Sequence, residues 1–260
     1  MNMFKKIFQT KKTSEPLNYD LRKYFEYHIL WLQETFPEPE IGERKIFIPT
    51  ESDFPIKWNG SKKSVFEVVK IVAENMQINP NEIEVDFYDE GLTEIGGGTS
   101  TIFLENDTES NLTAGLYHGK NENGKYEVSV NVAYLNNPES IIATVAHELC
   151  HIKLLGENKI EENDEYLTDL ATVFWGFGIF TANTSFQFYQ QNDRWGHNSS
   201  GYLKQEDWGY SLALFAFLRY EDEPEWSKYL NSTVKKDFEK SLAYMIENES
   251  EIFKFEEDES

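Results

Sequence analysis

Between Asn137 and Gly156 the chain has little choice but to form a helix. Asn137 is a capping side chain, Pro138 suits the first helical position, and Glu139 lies near the positive end of the helix dipole. Ile141, Ile142, Val145, Leu149 and Ile152 follow as a stripe for burial, and Gly156 offers a left-handed residue to close the helix. This helix carries His147-Glu148-Leu149-Cys150-His151. Histidines four residues apart stand one above the other, so both imidazoles can reach one ion. Glu148 sits beside them, placed to take a proton from a water activated there. Cys150 points away from that face and reads as a small core residue.

A second constellation opens the next helix: Glu165-Tyr166-Leu167-Thr168-Asp169, with two carboxylates again four apart. A catalytic zinc takes three protein ligands and leaves one position open. Glu165 is the candidate third ligand, with Glu157, Glu161, Glu162 and Asp164 as competitors nearby. Asp169, one turn on, can accept a hydrogen bond from the non-ligating nitrogen of a histidine and fix its tautomer. A turn at Gly156 brings the second helix back antiparallel, with Glu165 near its start. Candidate donors to a developing oxyanion are His197, Tyr202 and Tyr210, in or just after a polar loop. His28 and His118 lack a partner motif and read as packing residues.

Upstream, residues 18–36 and 61–76 carry helical periodicity, the second with Val65, Val68, Val69 and Val72 on one side. Residues 45–49, 82–88, 99–104, 112–118 and 126–134 read as strands, with 120–125 as the turn of a hairpin. Gly96 to Gly98 lacks the lysine and helix start of a phosphate loop and reads as a connection. Downstream, helices are expected over 163–180, 204–220 and 233–247. The expected class is α+β: a small, mainly antiparallel sheet in the N-terminal half and a helical C-terminal half carrying the motif helix. Residues 1–15 read as a flexible basic leader and 16–247 as one domain, with a β-rich lobe over about 40–135 and a helical lobe over about 137–247. Residues 248–260 form an acidic tail expected to fray.

Charge narrows the partners. The chain has 46 acidic and 24 basic residues, a formal net charge of -22, which repels nucleic-acid phosphates and anionic membranes. One cysteine permits no internal disulfide and fits a reducing compartment. Neither a secretory leader nor about 18 consecutive apolar residues is found, so the expected location is the cytoplasm.

The run from His147 to Ala171 resembles gluzincin-type metallopeptidases: His-Glu-x-x-His, then Glu-x-x-x-Asp. The short gap and the segment Glu165 to Ala171 are similar to the ImmA/IrrE-like peptidases, where Asn often stands at the position of Asp169. Residues 167–183 also resemble a group of uncharacterised bacterial HExxH proteins, which implies a bacterial origin and a shared metal site but no substrate. The gluzincin resemblance implies hydrolysis of a peptide or protein substrate, with His147, His151 and Glu165 on Zn2+ and Glu148 as general base. The strand at 126–134 would align the substrate by edge pairing. The competing expectation is a non-catalytic, acidic protein-binding module with a structural or vestigial metal site.

Overall fold

The computed structural model describes residues 13–89, 115–191 and 203–255. Seven α-helices and a three-stranded sheet are found among them, in α+β arrangement with a helical C-terminal half. In chain order they are α1 (Tyr19–Thr35), α2 (Lys62–Asn75), β1 (Ile83–Tyr88), β2 (Gly115–Lys120), β3 (Tyr126–Asn131), α3 (Pro138–His151), α4 (Glu165–Phe174), α5 (Gly178–Gln191), α6 (Gln205–Leu218) and α7 (Ser232–Glu247). No helix among the described residues is long and apolar enough to cross a membrane.

The sheet is mixed rather than mainly antiparallel. β3 lies in the middle, parallel to β1 and antiparallel to β2. The hairpin closes at Asn121, whose side-chain oxygen accepts from the amides of Asn123 and Lys125. β3 is therefore paired on both sides, which corrects the expectation that it offers an edge to substrate. Among the described residues β2 is the edge strand beside α3. Residues 45–49 form no strand: Phe47 N–H donates to Gly176 O at 2.9 Å, one bond where a ladder would need several. The strand candidate at 99–104, the glycines at 96–98 and the polar loop before Leu203 lie outside the described residues.

α3 is the central element. It packs against α2, α4, α5 and β2, and almost every residue from Ser140 to His151 is buried. Asn137 Oδ1 accepts from Ser140 N–H at its start, as the sequence suggests. Its end differs. The backbone runs on through a π-helical turn, Ile152–Gly156, and Asn158 (φ 54°), not Gly156, takes the left-handed conformation. Glycine at 156 serves close approach, because a Cβ there would meet the Tyr126 ring at 2.7 Å and the Tyr117 hydroxyl at 2.9 Å.

The single helix expected over 163–180 is two. Gly176 has φ +84°, and its carbonyl and that of Trp175 are held by Phe47 N–H and Asn75 Nδ2. A Cβ at 176 would collide with the Lys45 carbonyl, so the break is built into the packing. Residues 248–255, part of the tail expected to fray, are held in place: Ile252 is buried and Phe253 N–H donates to Glu26 at 2.9 Å, while 256–260 lie outside the described residues.

Candidate metal centre

α3 and α4 lie side by side, and this brings His147, His151 and Glu165 together. His147 Nε2 lies 3.2 Å from His151 Nε2 and 3.1 Å from Glu165 Oε2. His151 Nε2 lies 3.7 Å from the same oxygen. Bonds of about 2.0–2.2 Å to a tetrahedral zinc set neighbouring donor atoms about 3.3–3.6 Å apart. The triangle of donor atoms is thus the size of one face of such a site. Glu165 Oε2 is buried and makes no aligned hydrogen bond, while Oε1 accepts from Asn163 Nδ2 at 2.7 Å. A buried carboxylate oxygen facing two imidazole nitrogens is a donor set that fits a cation.

The far sides of the rings explain their orientation. His147 Nδ1 lies 3.0 Å from Asp169 Oδ1, so the carboxylate accepts from Nδ1–H and leaves Nε2 to face the triangle. Asp169 Oδ2 accepts from Leu203 N–H at 3.0 Å, so one carboxylate fixes both a histidine and the entry to α6. His151 Nδ1 is 3.5 Å from Thr168 Oγ1, whose own proton goes to Asp164 O. Asp164 also caps α4 through Leu167 N–H and receives the Tyr24 hydroxyl from α1 at 2.7 Å. The helix start that presents Glu165 is therefore held from two sides.

The electrostatics follow from this crowding. Burial alone would lower the His147 pKa, but Asp169 and Glu165 raise it well above the usual histidine range. Burial and the charge of His147 push His151 down to about 4. Burial would raise the Glu165 pKa, yet His147 and His151 hold it well below the usual carboxylate range. In the absence of a cation, an imidazolium at His147 partly offsets the two carboxylates. Glu148 is the other perturbed acid. Burial raises it to about 7, and Glu165 adds to that, against the pull of His147 and a hydrogen bond from Tyr117 N–H.

β2 supplies what the motif alone does not reveal. Gly115 lies against Thr144 and Glu148, Tyr117 N–H holds the Glu148 carboxylate, and the Tyr117 ring stacks on His151 at 6.0 Å with an 11° interplanar angle. These residues carry no sequence signature beyond a small residue and an aromatic in a strand. His147 and Glu165 keep 13% and 21% of their side-chain surface exposed, so the centre meets solvent.

Of the expected oxyanion donors, His197 and Tyr202 lie outside the described residues. Tyr210 is a correction: it is fully buried in α6 and its hydroxyl donates to Glu26 at 2.8 Å, so it is committed elsewhere. Cys150 is buried core, as expected. The His28 ring lies against that of Tyr24, centroids 4.0 Å apart at an interplanar angle of 36°, whereas His118 is exposed and bonds Ser129 Oγ at 2.9 Å. Compared with protein-family models, curated proteins and solved structures, the chain matches none.

Proposed function

We propose that this chain is a zinc-dependent peptidase that binds its metal through His147, His151 and Glu165 and uses Glu148 as general base. The observation that supports this most is the pairing of a cation-sized donor triangle with a buried carboxyl, Glu148, on the residue adjoining His147. Zinc in this site would supply a Lewis acid and make a water more acidic at neutral pH. Glu148 takes a proton from the attacking water and returns it to the leaving amine, as a buried carboxyl beside the donor triangle is placed to do. Tyr117 N–H keeps that carboxylate aimed, and Asp169 keeps His147 in one tautomer. An extended peptide would lie along β2, the edge strand beside Glu148. A buried lone cysteine and a net charge of -22 fit work in a reducing cytoplasm on peptides rather than on nucleic acid or membranes.

Elemental analysis of the purified protein beside a His147→Ala/His151→Ala variant tests the site. Near-stoichiometric zinc, lost in the variant, is expected; iron instead would point to the oxygenase chemistry of a two-histidine, one-carboxylate site, and no metal after reconstitution would overturn the proposal. Glu148→Gln should keep the metal and lose cleavage of a peptide library by about 10²–10⁴-fold. Unchanged cleavage would remove Glu148 from the mechanism.

A further inference from the structure

α1 supplies no donor to the metal centre, yet one of its side chains reaches the residue that introduces Glu165. Tyr24 Oη donates to Asp164 Oδ2 at 2.7 Å, across 140 residues of sequence. Among the described residues, it is the one side-chain group from outside residues 138–174 that hydrogen-bonds the segment 157–165. Its ring is held in turn. His28, one turn on, donates from Nδ1 to Tyr24 O at 2.8 Å and lies against the ring, while Tyr166 of α4 meets it edge to face at 6.2 Å. The hydroxyl is therefore brought to Asp164 from a fixed direction.

Asp164 passes that constraint to two of the three donors. Its Oδ1 accepts from Leu167 N–H at 3.0 Å and fixes the first turn of α4, on whose first residue Glu165 stands. Asn163, which holds Glu165 Oε1, is its neighbour on the other side. The Asp164 carbonyl accepts from Thr168 Oγ1 at 2.9 Å, and that hydroxyl oxygen stands 3.5 Å from His151 Nδ1. His147 differs, because Asp169 holds its far nitrogen directly. We propose that Tyr24 is a positioning residue for the metal centre: its hydroxyl holds Asp164, and through Asp164 the Glu165 and His151 donors, at the spacing a cation requires. The inference rests on the metal reading above. Loss of a partner that orients the ligands lowers metal affinity by about 10–100-fold, and with Asp164 standing between, the low end is expected here.

Two measurements on the full chain test the proposal: competition with a chromogenic chelator for zinc, and the visible absorption bands of the cobalt(II)-loaded protein. Tyr24→Phe keeps the ring and its packing; it should bind zinc about 10-fold more weakly than the parent and shift the cobalt bands. Asp164→Ser keeps a helix cap but has no second oxygen for Tyr24. It should lose a similar factor, and adding Tyr24→Phe should then cost little more. Tyr210→Phe is the control, since it removes a buried hydroxyl bond to Glu26 of the same helix and none to Asp164; affinity and bands should stay as in the parent. Parental affinity and bands in Tyr24→Phe would overturn the proposal. So would an equal loss in Tyr210→Phe, which would trace the effect to a general loosening of α1, or an undiminished effect of Tyr24→Phe on top of Asp164→Ser. A parent that takes up neither zinc nor cobalt would overturn the metal reading itself, and this inference with it.

Discussion

Gly115 offers the centre no ligand, yet it decides where Glu148 sits. A Cβ there would meet Thr144 Cγ2 at 2.5 Å and Glu148 Oε1 at 2.9 Å, so Gly115→Ala must push the strand or the carboxylate aside. With the proposed chemistry, this variant should keep its metal and lose turnover by about 10²-fold, since a displacement of about 1 Å suffices for that. Equal turnover at equal metal content would show that Glu148 tolerates the shift. The residues of α3 and α4 were legible from sequence because helical spacing is local: His147 and His151, then Glu165 and Asp169, each sit four apart. Gly115 and Tyr117 were not, because they arrive from a strand far upstream and nothing local marks them. Tyr210 misled for the converse reason. It follows the polar loop in sequence, but the turn of α6 carries it inward to Glu26.

Most of the helices could be read directly, because caps and apolar stripes agree: Asn18, Ser61, Asn137 and Asn231 each cap a helix as such residues should. Where reading failed, a distant contact decided the outcome. The break between α4 and α5 rests on Lys45, Phe47 and Asn75, none of which lies in that stretch of sequence. The start of α6 bears a measurable strain. Asp207 Oδ2 accepts from Lys204 N–H, but Oδ1 is buried without a partner, and burial raises the pKa to about 6. Between about pH 4 and pH 6 the folded chain therefore holds a proton that the unfolded chain has released, and stability falls as pH rises through that window. Asp207→Asn keeps an acceptor for Lys204 and removes the buried charge. Urea unfolding should show it more stable than the parent by roughly 1 kcal/mol at pH 7, with the gain shrinking toward pH 4. A gain independent of pH would locate the effect elsewhere.

At the scale of the molecule, Glu26 ties distant parts of the chain together. Fully buried, it accepts from Tyr210 of α6, from Lys23 at 2.6 Å and from the amide of Phe253 near the C-terminus. Arg22 lies 3.5 Å away. Glu26→Ala leaves the Tyr210 hydroxyl buried and unmatched, while Lys23 keeps Glu251 O and Arg22 keeps Glu15, and should lower stability by about 3 kcal/mol in denaturant unfolding. A loss under about 0.5 kcal/mol, the range of an ordinary surface substitution, would deny Glu26 that role. Asp169 joins another two parts, with one oxygen on His147 and the other on the amide that leads into α6. Whatever occupies the donor triangle consequently reports on itself through heat. Under the proposed assignment, zinc at 100 times its dissociation constant adds about 2.7 kcal/mol to folding, and a chelator withdraws it. The melting temperature should climb with the logarithm of free zinc in the parent and stay flat in His147→Ala/His151→Ala. A calorimeter can then measure the affinity of this centre, and rank one metal against another, before any substrate has been found.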